Sequence, residues 1–158
     1  MMKKLFFVAI MAITATIAKA DAGDIVAGLQ FNYGSKHTMM GFGANVLIEP
    51  VDRFRIAPEF MYYFKNDGIS IANVNLNFHY LIRANAGNSF YPILGFSYAK
   101  INCDPNYVKY DGDHFGANIG VGYEYRINEH FRFFAEQRFQ ILKDWNQSVT
   151  VLGLRYKF

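Results

Sequence analysis

Residues 72–83, ANVNLNFHYLIR, alternate between apolar and polar side chains over almost their whole length. Successive side chains of a β-strand point to opposite faces, so this pattern predicts a strand with one apolar and one polar face. Residues 115–127, FGANIGVGYEYRI, repeat the pattern. A helix would scatter these apolar residues around its surface, and both stretches therefore favour strands.

The same alternation continues through the chain and is interrupted by short segments rich in Gly, Asn, Asp and Pro, which are typical of turns. It predicts eight strands, at residues 24–33, 38–48, 53–65, 69–82, 90–102, 114–127, 131–142 and 147–158. The predicted fold class is all-β, as an eight-stranded antiparallel up-and-down transmembrane β-barrel.

The first twenty residues have the pattern of an export signal. Lys3 and Lys4 precede an apolar run at residues 5–15, and residues 18–20, Ala-Lys-Ala, place small side chains where a signal peptidase cleaves. A transmembrane anchor is the alternative, but such a helix needs about 20 apolar residues. We therefore predict a signal peptide at residues 1–20 and one barrel domain at residues 21–158.

Charge and cysteine content exclude several classes. Lys3, Lys4 and Lys19 account for the excess of 16 Lys and Arg over 13 Asp and Glu, so the exported part is close to neutral and gives no indication of nucleic-acid binding. Cys103 is the single cysteine, which rules out an intramolecular disulfide. No Cys/His metal motif is present and no cofactor is expected. After the signal no apolar run approaches a membrane helix, so a membrane-embedded chain would cross with strands.

The apolar face could point into a soluble, lipocalin-like barrel or outward into lipid. Most aromatic residues after the signal lie on the apolar parity, and they fall near the two ends of the strands. The interior of an eight-stranded barrel is too narrow for so many rings. The opposite parity carries the small residues that a narrow lumen needs, and we expect the aromatic face to form two belts at the membrane interfaces.

The last strand ends Gly153-Leu154-Arg155-Tyr156-Lys157-Phe158. Over its full exported length, the chain resembles the OmpA/OmpX-type small outer-membrane barrels. The resemblance implies that Gly153, Tyr156 and Phe158 belong to a signal for the barrel assembly machinery, with Val151 a departure where a polar residue is usual. It also implies contact with outer-membrane lipid and lipopolysaccharide and a polar, charge-plugged interior.

The inward parity carries many charged side chains, which must be paired because an isolated buried charge is very costly. We expect a lumen network, with more bases than acids, that keeps its carboxylates ionised. Its predicted members are Arg53, Arg55, Glu59, Glu124, Arg126, Arg132, Glu136, Arg138 and Arg155, with Glu49 near the rim. A gate that opens when pairs rearrange is the functional alternative to a purely structural network.

An even number of strands places both ends of the exported chain in the periplasm, so residues 103–113 form the longest external loop. Its candidate contact residues are Asp104, Tyr107, Tyr110, Asp111 and Asp113, and Trp145 lies in another external turn. The three aspartates offer Ca²⁺ ligands, but without EF-hand spacing a solvated acidic turn is favoured.

The sequence predicts a structural or surface-interaction role for the barrel, without catalysis. The alternatives are a narrow porin-like channel for ions or small solutes and a lipid-modifying enzyme. Ser35 and His37, close together in one loop, are the residues that the enzyme hypothesis would use. A surface-interaction role allows an extracellular ligand of unspecified chemistry.

Overall fold

The computed structural model describes residues 25–106 and 111–158. The predicted signal peptide, Tyr107 and Tyr110 lie outside the described residues. Within them, no helix is long and apolar enough to cross a membrane. The strands are β1 Ile25–Gly34, β2 Met39–Val51, β3 Phe54–Asn66, β4 Ile69–Tyr80, β5 Ile82–Asn85, β6 Asn88–Cys103, β7 Gly112–Arg126, β8 Phe131–Leu142 and β9 Trp145–Lys157.

The strands close into an antiparallel barrel. Their order is β4-β3-β2-β1-β9-β8-β7-β6-β5, and an additional β4–β6 pairing completes the ring. Both β4 and β5 pair with β6, so they are two segments of one barrel strand, which is interrupted at Leu81. Leu81 points inward with 1% of its surface exposed, and its N–H donates to the Arg53 carbonyl at 2.7 Å. The fold is therefore the predicted eight-stranded barrel.

The barrel has two distinct ends. Ile25 and Lys157 lie at one, which we call the terminal end, together with the β2–β3, β5–β6 and β7–β8 turns. The other four connections lie at the opposite end, which we call the loop end. The β3–β4 connection is a two-residue turn in which Asp67 and Gly68 both have positive φ, at 49° and 79°. That geometry is the one a tight hairpin requires, and it favours Asp-Gly.

The apolar parity faces outward. Leu29 and Phe96 are 73% and 68% exposed, and many other outward-facing rings are between 37% and 71% exposed. The four inward aromatic residues of the described chain are Tyr63, Tyr91, Phe134 and Trp145, all at most 1% exposed. A soluble barrel would reverse this arrangement, so the surface matches a barrel that is solvated by lipid.

Candidate functional site: the filled lumen

The inward side chains of β8 show how the lumen is layered from the terminal end to the loop end. They are, in order, Arg132, Phe134, Glu136, Arg138, Gln140 and Leu142. The charged residues belong to a network in the terminal half, Gln140 to a layer of amides, and Leu142 to an apolar cluster at the loop end. We call these three layers the charge network, the amide layer and the apolar plug.

Arg155 is the centre of the charge network. Its Nη1 donates to Glu124 at 2.8 Å, and its Nη2 donates to Glu136 at 2.9 Å. The Tyr91 hydroxyl accepts from Arg155 at 3.2 Å and donates to Glu136 at 2.8 Å. The guanidinium carbon also lies 3.6 Å from the centre of the Phe134 ring, which completes an almost fully buried cation site.

Glu124 joins three arginines near the terminal end. Arg55 donates to both of its carboxylate oxygens, at 3.0 and 3.1 Å, and Arg132 donates at 3.1 Å. Arg55 reaches Glu49 as well, at 2.7 Å. Such charge-assisted, two-pronged bonds are the strongest and most directional that side chains make.

Arg138 and Glu59 form the deepest pair. Two parallel hydrogen bonds, at 2.9 and 3.0 Å, join the guanidinium to the carboxylate. Gln30 and Asn75 also donate to Glu59, at 3.0 and 2.8 Å, so both carboxylate oxygens are fully used. Nε of Arg138 approaches Glu136 at 3.5 Å but makes no hydrogen bond, so we assign that contact only weak electrostatic attraction.

Two predicted network members lie elsewhere, and this changes the charge balance. Arg53 sits in the β2–β3 turn with a positive φ of 66° and a side chain that is 52% exposed beside Asp52. Arg126 is exposed at the end of β7. Within the described residues, the network then contains four arginines and four glutamates, so the expected excess of bases was wrong. Its members are Glu49, Arg55, Glu59, Glu124, Arg132, Glu136, Arg138 and Arg155.

A chain of polar side chains runs through the amide layer. Gln147 donates to Gln140 at 2.9 Å, Gln140 donates to Ser97 at 2.8 Å, and Ser97 donates to Asn73 at 3.1 Å. These residues come from β9, β8, β6 and β4, so the chain links half of the barrel wall. Asn118, which lies opposite Gln140 in the β7–β8 ladder, connects the amide layer to the charge network. It donates to Asn75, which itself donates to Glu59.

The apolar plug fills the loop end and extends down to Phe134 beside Arg155, and it was not anticipated from the sequence. Trp145 is its largest member and is fully buried, whereas the sequence placed it in an external turn. The turn is two residues shorter than predicted, since β9 already begins at Trp145. The His37 ring stacks on the indole at 5.5 Å. The plug consists of Met39, Met61, Tyr63, Ile69, Ile71, Ala99, Ile101, Phe134, Leu142, Trp145, Val149 and Val151, with Cys103 packed against it.

The predicted assembly residues lie on both faces of β9. Gly153 faces inward, and a Cβ there would lie 2.5 Å from the Phe134 ring, so glycine is needed for that ring to fit. The Tyr156 ring faces outward and meets Phe158 edge-on at 5.2 Å. Val151 points into the apolar plug, which gives a packing reason for an apolar residue at this departure from the usual signal.

The three aspartates that the sequence assigned to the longest loop have separate partners, and Asp113 lies in β7 rather than in the loop. Asp104 pairs with Lys65 at 2.9 Å, Asp111 accepts from the Cys103 N–H at 3.0 Å, and Asp113 accepts from the Tyr98 hydroxyl at 2.9 Å. Within residues 25–106 and 111–158, no group of three or more His, Cys, Asp or Glu side chains is placed to hold a metal ion.

A cavity of about 180 Å³ opens at the terminal end, below the charge network. We call it the vestibule. It is bounded by the β5–β6 turn and by a ring of charged side chains. Only some of these side chains belong to the charge network. Its lining is Glu49, Arg55, Leu81, Arg83, Gly87, Ser89, Glu124, Arg126, Arg132 and Lys157.

The closed barrel and its outward apolar face define a class, the small outer-membrane β-barrels. The chain matches the family model described as outer membrane protein beta-barrel domain over residues 5–158, and it belongs to that family. No curated protein sequence matches it significantly. The protein is therefore located in the outer membrane.

Solved structures support the fold. The N-terminal barrel domain of Pseudomonas aeruginosa OprF is 18% identical with a TM-score of 0.67, covering 85% of this chain and 96% of that chain. Ail of Yersinia pestis is 17% identical with a TM-score of 0.58, over 85% and 96% of the two chains. OprG of P. aeruginosa is 14% identical with a TM-score of 0.60, over 86% and 96%. At these identities the likeness shows the fold alone.

Proposed function

We propose that this protein is a structural or surface-interaction barrel of the outer membrane whose lumen is plugged and does not conduct ions. The observation that carries the proposal is that side chains occupy the lumen at two different heights. The Arg138–Glu59 pair occupies its centre with two hydrogen bonds, and the apolar plug fills the loop end with fully buried side chains. An ion would have to displace both, and the apolar layer offers it no compensating ligands.

The outer surface supports the membrane role. Its rings form clusters at the barrel ends, such as Phe42 with Phe64 at 5.6 Å and Phe131 with Tyr156 at 5.2 Å. Aromatic side chains at these heights suit contact with phospholipid on one side and lipopolysaccharide on the other. We expect the barrel assembly machinery to recognise the end of β9.

A non-catalytic role fits the environment of Ser35 and His37. The Ser35 hydroxyl accepts from the Ser148 N–H at 3.0 Å. His37 stacks on Trp145 and lies 3.8 Å from Asp67. These contacts give both residues structural partners at the loop end, and activity on lipopolysaccharide would contradict the non-catalytic part of the proposal.

The vestibule favours the second candidate, a narrow channel for ions or small solutes, because it gives solutes access to the charge network from the terminal end. Single-channel recording of the refolded protein in planar bilayers separates the two. Wild-type protein should show no steady conductance. A variant that combines Glu59→Ala, Arg138→Ala and Trp145→Ala should conduct and serves as the opened control. Steady wild-type current would overturn the plugged barrel and favour the channel.

A further inference from the structure

The vestibule is strongly basic for its size. Five of its lining side chains are Arg or Lys and two are Glu, and the two carboxylates are already engaged by Arg55. At about 180 Å³ it is smaller than the sites of drug-sized ligands, roughly 300–1,000 Å³, and larger than one water needs. Its volume therefore suits a small ion or a single headgroup.

Three arginines lie in one row at this end of the barrel. In the β7–β8 ladder Arg126 pairs directly with Arg132, and in the β8–β9 ladder Arg132 pairs directly with Arg155. Like charges directly opposite each other on neighbouring strands destabilise the sheet. Glu124 compensates Arg132 and Arg155, but it also serves Arg55, and no contact joins it to Arg126 in the described part of the chain.

Hydrogen-bond donors of this ring remain unused. The Nε atom of Arg132 is buried without a hydrogen-bond partner. Among the described residues, no ion pair within 4.0 Å reaches the side chain of Arg126 or of Lys157. The vestibule thus brings together a buried donor that lacks a hydrogen-bond partner, two cations that lack an ion pair among the described residues, and a row of like charges.

From this geometry we infer that the vestibule binds an anion of the phosphate class, either free phosphate or the headgroup of an anionic phospholipid. Guanidinium groups match phosphate oxygens with two parallel hydrogen bonds, and Lys157 adds a point charge. The bound anion separates the charges of Arg126 and Arg132. The ligand enters no further, because the Glu124 and Arg155 pair closes the network above it.

The test uses NMR of the refolded barrel in maltoside micelles, which contain no phosphate. In one arm inorganic phosphate is titrated, and in the other phosphatidylglycerol is added to the same micelles. Saturable shifts of the Gly87, Ser89 and Arg126 amides in either arm support the site, and the arm that produces them identifies the source. Absence of saturable shifts in both arms overturns the inference.

A charge-removing double variant, Arg126→Gln with Lys157→Gln, should weaken binding by about tenfold or more, as expected for losing charge-assisted hydrogen bonds. The charge-preserving variant Arg126→Lys with Lys157→Arg keeps most of the affinity and controls for folding. The double variant Lys65→Gln with Lys143→Gln removes two charges at the loop end and is the matched control for net charge. Binding that is equally weak in this control, or unchanged in the variant of Arg126 and Lys157, contradicts the site.

Discussion

Arg138 and Glu59 join two strands that face each other across the lumen. Arg138 lies on β8 and Glu59 on β3, with β9, β1 and β2 between them on one side of the ring. Two hydrogen bonds at 2.9 and 3.0 Å connect them, and both side chains are at most 3% exposed. A contact between elements so distant around the sheet ties the barrel wall together across its interior.

Removing one partner of this pair should destabilise the barrel strongly. Glu59→Ala leaves the Arg138 guanidinium buried without its carboxylate, and breaking a buried pair costs about 3–5 kcal/mol. The free energy of unfolding, measured by urea titration of protein refolded in lipid, should fall by that amount. Asp104→Ala, which removes the exposed Lys65 pair, is the control and should cost about 0–1 kcal/mol. A similarly small loss for Glu59→Ala would mean that water screens the orphaned charge and that the lumen is open.

Replacing both partners by apolar residues should be tolerated far better than removing one. The variant Glu59→Leu with Arg138→Met keeps much of the volume and leaves neither charge uncompensated, and such replacements are often neutral or stabilising by about 1–4 kcal/mol. Gln30 and Asn75 lose an acceptor, which offsets part of any gain. We expect the double variant to unfold at a higher urea concentration than Glu59→Ala. If it is the less stable of the two, the pair is not the dominant interaction of these residues.

The sequence predicted the barrel closely, for a physical reason. Alternation with a period of two runs along each strand and stops at the turns, so the ends of the eight predicted strands lie within three residues of the observed ends. The break at Leu81 between β4 and β5 was not predicted. The parity also predicted inward charges on β3, β7, β8 and β9. The described side chains that contact one another there are Arg55, Glu59, Glu124, Arg132, Glu136, Arg138 and Arg155. Burial forces such charges to pair, so inward parity indicated a network for those charges that the barrel wall encloses.

The sequence did not predict the height of each inward residue, and the errors follow from this. Arg53 and Arg126 have inward parity, but they lie beyond the enclosed part of the lumen, where water can solvate them. Trp145 follows Asp144, whose φ is 61°, and a turn of that kind reads locally as a loop. Its burial depends on Ile71, Ile101 and other inward residues far away in sequence. The two errors have the same cause. The height of a residue along the barrel axis depends on the strand register around the ring, and local sequence patterns do not encode that register.

Close packing around Tyr91 predicts that Gly122 tolerates no side chain. A Cβ at position 122 would lie 2.2 Å from the Tyr91 ring. Gly122→Ala should lower the free energy of unfolding by about 1–3 kcal/mol, which is typical of overpacking. The same substitution in a Tyr91→Leu background should cost much less, because the ring that it meets is gone. Equal costs in both backgrounds, in a double-mutant cycle, would exclude this contact as the cause.

Barrel orientation can be tested with cysteines at the two ends. In a Cys103→Ser background, Lys65→Cys introduces a thiol at the loop end, where the lysine side chain is 62% exposed. Glu129→Cys introduces one in the exposed β7–β8 turn at the terminal end. A membrane-impermeant maleimide should label the first variant on intact cells and the second only after the outer membrane is disrupted. The reverse pattern would place the loop end in the periplasm.

The last strand predicts a defect of assembly that is separate from stability. Deleting Phe158 removes an outward ring that is 64% exposed and whose main contact is the edge of Tyr156. So little buried surface is lost that the purified deletion variant, refolded in detergent, should keep most of its stability. In cells, by contrast, the amount of heat-modifiable barrel in the outer membrane should fall several-fold while the exported chain accumulates in the periplasm. Phe115→Leu, which alters an equally exposed ring near the loop end, is the matched control and should assemble normally. Normal assembly of the deletion variant would show that recognition does not depend on Phe158, and a parallel loss of stability on refolding would assign the defect to the barrel itself.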